Sequence, residues 1–410
     1  MATNGIKSSD VIILGGGLVG QTLALALDAH GLSCAVVDRM PAEALLDTSY
    51  DGRVSAVASA SWKMLQAIGL GEALEGKGCP ISTIRVSEGM EPGALDFEPA
   101  EDEGPLGIMF ENRLLRATLF EAAQKAEHVA LYMGRSAADV ERGAGGVTVT
   151  LDDGTLLSAP LLVGAEGRNS STREAAGLKI ARWRYPHHAI VACLNHEKPH
   201  GNIAYEIFYA EGPFAILPML GDTNGHRSAL VWSVPEKDGP ATLAMNERAF
   251  LAEVHKRMDG FLGEVSLAAP RSAYPLGFHN AAKITADRLA LVGDSAHGMH
   301  PIAGQGLNVG FRDVAALTQV LVEGARLGMD LGDAQLMERY ERWRGLDTLM
   351  VAMATDGLTR LFGVPGKTAS RIRRFGLGAV GRIPPLKRKF VDEARGSSGK
   401  LPLLLQGVTV

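Results

Sequence analysis

Apolar residues first gather at Val11-Ile12-Ile13-Leu14, a continuous β-type run of the kind a parallel strand buried on both faces carries. Gly15-Gly16-Gly17-Leu18-Val19-Gly20 follows, then helical periodicity from Val19 to about His30, which Gly31 stops. Ser33-Cys34-Ala35-Val36-Val37 is the next strand, ending at Asp38-Arg39, so the opening segment predicts a βαβ unit. Residues 61–75 and 113–126 carry helical spacing, and Ile81 to Ser87 reads as a strand of a different sheet. Val147 to Leu151 and Leu156 to Leu157 flank Asp152-Asp153-Gly154, a good hairpin turn. Leu161-Leu162-Val163 then returns as a buried strand before Gly164-Ala165-Glu166-Gly167.

Between about 180 and 280 the pattern changes. Ala189 to Leu194, Ile203 to Tyr209, Phe214 to Leu217 and Ser228 to Val234 succeed one another as strand-like runs, broken by a helical stretch near 241–259. Such a series predicts an antiparallel sheet. Leu289 to Val292 resumes the first sheet, Gly304 opens a long helix to about 327, and beyond Asp333 the chain reads helical with basic loops. The expected fold class is α/β. A discontinuous Rossmann-like dinucleotide domain (1–80, 100–178, 281–332) receives an inserted antiparallel β-sheet substrate domain (81–99, 179–280), and 333–410 form a helical C-terminal region.

Composition narrows the function. With 410 residues, 46% hydrophobic, 21% charged and a net charge of −5, the chain suits a globular protein with no bulk affinity for nucleic acid. MATNGIKSSD lacks the basic start of a secretory signal, and no apolar run approaches the roughly 20 residues of a membrane span. A cytoplasmic protein is expected. Cys34, Cys79 and Cys193 form no CxxC pair and read as reduced, buried small hydrophobes. His297 with His300, and His187 with His188, lack the further ligands a metal needs, so none is expected.

The glycines carry the chemistry. Gly15 suits a tight turn, Gly17 lets a pyrophosphate approach the backbone, and Gly20 lets helix and strand close up. The helix start at Leu18-Val19 faces the phosphate charge, and Asp38 stands at a strand end where a ribose would donate to it. That motif alone does not separate NAD from FAD. The segment Gly293 to Asn308 does. Asp294, also at a strand end, can accept from the hydroxyls of a ribityl chain, which FAD has and NAD lacks. After Pro301, Gly304-Gln305-Gly306-Leu307-Asn308 offer backbone N–H groups at a helix start, suited to negative charge on a reduced flavin ring.

GxGxxG, Asp51-Gly52-Arg53, LVGAEGRNSSTR (162–173) and GDSAHGMHPIAGQGLNVGFRD (293–313) together resemble the class A flavoprotein monooxygenases. HPIAGQGLN followed by GFRD resembles, within that class, the ubiquinone-biosynthesis hydroxylases, and the likeness runs through nearly the whole chain. It implies that Gly15, Gly17, Gly20 and Asp38 hold the ADP half of FAD, that Asp294 holds the ribityl chain, and that Pro301 with Gly304 to Asn308 surrounds the ring. Arg53 matches the family arginine near flavin and pyrophosphate, and Asn112 the N-xx-L position near the ribityl chain. Arg53 and Pro301 would form the flavin's environment, with no acid or base identified. One departure stands out: Ala165-Glu166-Gly167 replaces the family's Ala-Asp-Gly, which puts that carboxylate's part in FAD contact and NAD(P)H handling in question.

The implied reaction has two halves. NAD(P)H or another donor reduces the flavin, O2 adds to give a C4a-hydroperoxyflavin, and a polyprenyl phenol attacks its distal oxygen. NAD(P)H needs no second Rossmann motif in this class. The ring would lie in an apolar pocket between sheet and flavin, with Phe214, Pro218 and Trp232 as candidate walls. Rival readings are a flavin reductase or halogenase on the same fold, and a non-catalytic FAD-binding subunit of a biosynthetic complex. Towards the end Arg371, Arg373, Arg374, Arg382, Lys387, Arg388 and Lys389 occur without an acid between them. They read either as a solvated basic helix and loop or as a contact with a partner protein or the anionic inner face of a membrane, peripheral in mode.

Overall fold

The structure, a computed structural model, describes residues 5–47, 49, 51–90, 94–222, 225–298, 305–345 and 383–410. Its centre is a six-stranded sheet in the order Thr285–Ala286, Leu289–Leu291, Leu161–Gly164, Val11–Leu14, Cys34–Asp38, Val129–Met133. All neighbours are parallel except the antiparallel edge pair Thr285–Ala286 with Leu289–Leu291. The continuous apolar runs are explained by this placement, because helices cover the sheet and leave Val11, Ile12, Ile13, Leu161, Leu162 and Val163 wholly buried. Helices Leu18–Asp28 and Gln305–Arg326 lie against each other and bring Leu23, Leu27, Phe311, Leu317 and Leu321 into the same core. At about 1.5–3 kcal/mol for each fully buried large side chain, that shared core is what joins the distant stretches.

The second large element is a nine-stranded sheet, built on the long strand Ile180–His196 and on Ile203–Tyr209, Gly212–Asp222, Gly225–Pro235 and Ser272–Ala281. Its neighbours pair antiparallel, apart from Ile203–Tyr209 with Thr83–Glu88, which is parallel. The strand expected near 81–87 is therefore a member of this sheet. One face is covered by helix Glu247–Met258, which Asn246 caps by accepting from the Ala249 N–H at 2.9 Å. Ile190, Ile207, Phe214, Ile216, Leu230 and Trp232 pack there on Phe250, Val254 and Met258.

This corrects the expected pocket wall. Phe214 and Trp232 face the covering helix, and Pro218 takes the same side as Ile216 by the two-residue alternation. The other face packs Ala204, Leu217, Met219 and Ala229 with Val54, Ala56, Cys79 and Met109.

The hairpin at Asp152-Asp153-Gly154 joins Gly146–Leu151 to Leu156–Ala159 in a separate four-stranded sheet. Val54–Ala58, Gly107–Glu111 and Cys79–Ile81 make a three-stranded sheet between the two large ones. Residues 334–345 are helical, as is Pro384–Ala394, and Leu404 and Leu405 bury against the dinucleotide core. The three cysteines are buried and none is in a disulfide. Burial, with Asp28 and Asp10 nearby, pushes the Cys34 thiol up to about 12, and burial pushes Cys79 to about 11, so neither is a ready thiolate. Among the described residues no helix is long and apolar enough to cross a membrane, and no cluster of His, Cys, Asp and Glu is arranged for a metal.

Candidate functional site

The first glycine turn is set by steric room. Gly15 has φ +109°, and a Cβ there would lie 2.4 Å from the Ala165 carbonyl oxygen. A Cβ on Gly20 would lie 1.9 Å from the Gly15 oxygen. Around Gly17 the situation reverses, since a Cβ would meet nothing within 4 Å. Gly15 and Gly20 thus close the turn, while Gly17 leaves open the approach to a helix start that no side chain caps. Leu18 and Val19 form that first turn and are half-buried.

Asp38 accepts from the Gly16 N–H at 2.5 Å through Oδ2 and from the Met40 N–H at 2.7 Å through Oδ1. It organises the turn while each oxygen keeps a second lone pair for a ribose. Arg39 is exposed beside it.

Val19 joins the two glycine-rich segments. A Cβ on Gly293 would come 3.2 Å, and one on Gly310 2.8 Å, from Val19 Cγ2. Gly293 begins a short 3-10 turn, and Asp294 within it has its side chain 42% exposed, with Arg168 Nε donating to Oδ2 at 3.3 Å. The Gly167 N–H donates to Ser295 Oγ at 3.0 Å, and buried Arg173 donates to the carbonyls of Ser295 and Arg168, each at 3.0 Å. The mid-chain LVGAEGRNSSTR stretch is thereby laced to the Asp294 turn.

Glu166 is engaged by its own segment. Its Oε2 accepts from Ser170 Oγ at 2.6 Å and the Thr172 N–H at 3.1 Å, and its Oε1 from Ser171 Oγ at 2.6 Å. Both oxygens are engaged at the start of helix Ser171–Ala175, where negative charge is favoured.

Asp313 is the hub that sequence reasoning missed. Its wholly buried carboxylate accepts from the Gly293 N–H at 2.8 Å and pairs with His297 Nε2 at 2.7 Å, both through Oδ2. Oδ1 accepts from Arg344 Nε at 2.6 Å. Burial opposes its ionisation, yet His297 and Arg344 beside it hold the carboxyl below the usual range. From the same 334–345 helix Tyr340 donates to the Leu291 carbonyl at 2.9 Å, and burial pushes that phenol well above its ordinary pKa. The one sequence sign was the acid of GFRD on the buried stripe of a long helix.

On the far side, Asn308 accepts from the Ala58 N–H and donates to the Ala56 carbonyl, each at 2.8 Å. This pins the start of the long helix to strand Val54–Ala58. Arg53 immediately precedes that strand, 64% exposed, with Nε on Asp51 Oδ2 at 2.8 Å. Its carbonyl accepts from the Asn112 N–H at 2.9 Å, and Asn112 Oδ1 accepts from Ser55 Oγ at 2.7 Å. Arg53, Asn112 and Asn308 are therefore gathered around one strand. Gly306 faces open space and Leu307 is half-buried. Pro301, Gly304, His300 and the Gln305 side chain lie outside the described residues.

An open, uncapped helix start at Gly17, a part-exposed carboxylate at Asp294 and polar groups at Arg53 fit a long dinucleotide with a polyol between its ends. The family description "FAD binding domain" matches residues 8–347. Ubiquinone hydroxylase UbiL of Rhodospirillum rubrum is 44% identical over 98% of this chain and 94% of its own length. The 3-demethoxyubiquinol 3-hydroxylase of Escherichia coli is 32% identical over 95% of this chain and 99% of its own. Among solved structures, p-nitrophenol 4-monooxygenase PnpA from Pseudomonas putida superposes with a TM-score of 0.79 at 16% identity, over 97% of this chain and 100% of that one, and so shares the fold. By its site and by these relatives the chain belongs to the FAD-binding-domain family, in the branch that contains the ubiquinone-biosynthesis hydroxylases.

Proposed function

We propose that this chain is an FAD-dependent monooxygenase that hydroxylates the aromatic ring of a polyprenyl phenol in ubiquinone biosynthesis, with NAD(P)H and O2 as co-substrates. The supporting observation is the single line of groups from the Gly17 turn through Val19 and Gly293 to Asp294, continued at the helix start by Asn308 and strand Val54–Ala58. Gly17 with the Leu18 and Val19 amides would hold the pyrophosphate, Asp38 the ribose and Asp294 the ribityl hydroxyls. FAD, when bound, passes electrons from NAD(P)H to O2 and one oxygen atom to the ring. The protein's share is to place the phenol against the flavin and keep water out. Arg53, exposed and steadied by Asp51, supplies a positive charge at the edge of that site. Purified protein given NAD(P)H, labelled O2 and a prenyl phenol is expected to yield a phenol carrying one labelled oxygen. Oxidation of NAD(P)H with peroxide as the sole oxygen product would overturn the reading.

The substrate's tail suggests where the protein works. Ile383, Leu386 and Phe390 are exposed on or beside helix Pro384–Ala394, among Lys387, Arg388 and Lys389. We read this end as a peripheral contact with an anionic membrane, although Arg388 is also paired with Glu103. Arg371, Arg373, Arg374 and Arg382 lie outside the described residues. Sedimentation with phosphatidylglycerol vesicles should be lost on Leu386→Ser with Phe390→Ser. Equal sedimentation of wild type and variant would exclude this contact, and retention by a protein complex alone would replace the membrane with a partner.

A further inference from the structure

One stretch of the chain gathers positive charge and aromatic surface beside the groups assigned to FAD. The chain carries a net charge of −5, yet no acid occurs from Ala175 to His196 or in the paired strand Ser272–Ala281. Arg182, Trp183 and Arg184 are consecutive exposed residues of strand Ile180–His196. Among the described residues neither arginine has an acidic partner.

Trp183 is 37% exposed, although an indole usually finds cover. Its ring stacks on buried Phe278, with centroids 4.1 Å apart and planes at 22°. Phe278 packs in turn with Tyr185 and with Val309, in the first turn of helix Gln305–Arg326. One indole face is therefore backed by the protein, through a stack that leads to the cofactor helix.

The strand is open on one side here. Among the described residues, 180–184 pair with Ser272–Ala281 alone, because pairing with Gly225–Pro235 begins only at His187. A free strand edge presents main-chain N–H groups outward. The register also shifts between Arg184 and His188, a bulge of the kind that re-aims side chains beside active sites. Strand Ser272–Ala281 pairs on its far side with His297–Gly298, and His279 Nε2 donates to the Asp294 carbonyl at 2.7 Å. At about 4.8 Å per strand, Trp183 stands roughly 10 Å from that segment.

An indole with one face backed can stack a flat base, and guanidiniums take phosphate oxygens in paired hydrogen bonds. Alternation sends Arg182 and Arg184 to the face opposite the indole. The free edge lets one ligand folded over it reach both. A base, a pyrophosphate and a second ring in series fit these features in order.

We propose that Trp183, Arg182 and Arg184 bind NAD(P)H, with adenine on the indole, pyrophosphate on the guanidiniums and nicotinamide extending towards Asp294. This rests on the hydroxylase reading above, which makes NAD(P)H the co-substrate. It gives the second dinucleotide a place outside the glycine turn that FAD occupies. The three residues bind and orient; they take no part in bond making.

The test mixes FAD-loaded protein with NADPH or NADH without air and follows flavin bleaching. The concentration for half-maximal bleaching should rise about tenfold in Trp183→Leu and at least about tenfold in Arg182→Gln with Arg184→Gln. Trp183→Phe, which keeps a ring, should stay within about threefold of wild type. FAD content and bleaching by dithionite should not change. Reduced nicotinamide mononucleotide, which has no adenine, should serve wild type and Trp183→Leu equally. Wild-type concentration dependence in both variants would overturn the site, and an equal loss with the mononucleotide would take the adenine off Trp183. Variants that lose only sedimentation with phosphatidylglycerol vesicles would give the patch to a lipid surface instead. If NAD(P)H bleaches no wild-type flavin, the co-substrate reading fails, and ADP-ribose titrated against indole fluorescence judges the site alone. Quenching in wild type that is lost in Trp183→Leu is expected there, and equal quenching in both would overturn the site.

Discussion

The two grips on the dinucleotide are built on opposite principles. At the N-terminal turn the backbone does the holding, and the sequence requirement is the absence of side chains at Gly15 and Gly20. At Gly293–Asp294 a single carboxylate, Asp313, gathers a main-chain N–H and a histidine from one stretch and an arginine from another. The first is local and tolerant of everything except bulk. The second is remote, and besides the close fit of Gly293 and Gly310 on Val19 it depends on a balanced buried charge. A binding site can therefore be rigid through emptiness at one end and through a buried ion network at the other.

The sharpest way to break this contrast is at Gly20. Gly20→Ala places a methyl group 1.9 Å from the Gly15 oxygen. We predict a loss of at least about 3 kcal/mol in unfolding free energy and a colourless protein. A stable yellow Gly20→Ala would mean the turn has slack that its geometry denies.

Next comes Arg344→Met, which leaves Asp313 buried with one cation fewer. About 3–5 kcal/mol should be lost, with FAD released although Arg344 stands behind the cofactor groups. Denaturant titration with and without FAD measures both effects. The depressed pKa of Asp313 gives the pH dependence its sign. Its stabilising contribution is complete above the unfolded carboxyl pKa of about 3.9 and disappears only as pH falls through the lower folded value. FAD retention should be flat from neutrality down to about pH 5, and an earlier decline would implicate another group.

The smallest effect on folding belongs to Asp294→Ala. That carboxylate is 42% exposed, so stability should move by no more than about 0.5 kcal/mol. FAD affinity should nonetheless drop about 100-fold, in line with a charge-assisted hydrogen bond, as equilibrium dialysis would reveal. Unchanged affinity would remove Asp294 from the ribityl role.

What was legible in the sequence follows the same division. Val11 to Leu14, the glycine turn, Asp38 and the helix starting at Gln305 announce themselves through local periodicity and local sterics. The α/β class followed from their order. Contacts between stretches far apart did not announce themselves. Nothing near Asn308 says that its amide will clasp Ala56 and Ala58, and nothing near Glu166 says that it will cap its own helix. Phe214 and Trp232 show the limit within one sheet. Alternation tells which residues share a face, but the helix that arrives later decides which face is dry.

The pairing of Arg344 with Asp313 also bears on the order of events at the ribosome. Gly15, Gly17 and Gly20 are among the first residues made, yet the carboxylate that steadies Gly293 gains its cation only after residue 344 has emerged. A nascent chain carries half a cofactor site for most of its synthesis. Stable flavin binding is therefore expected only after translation has run past Arg344.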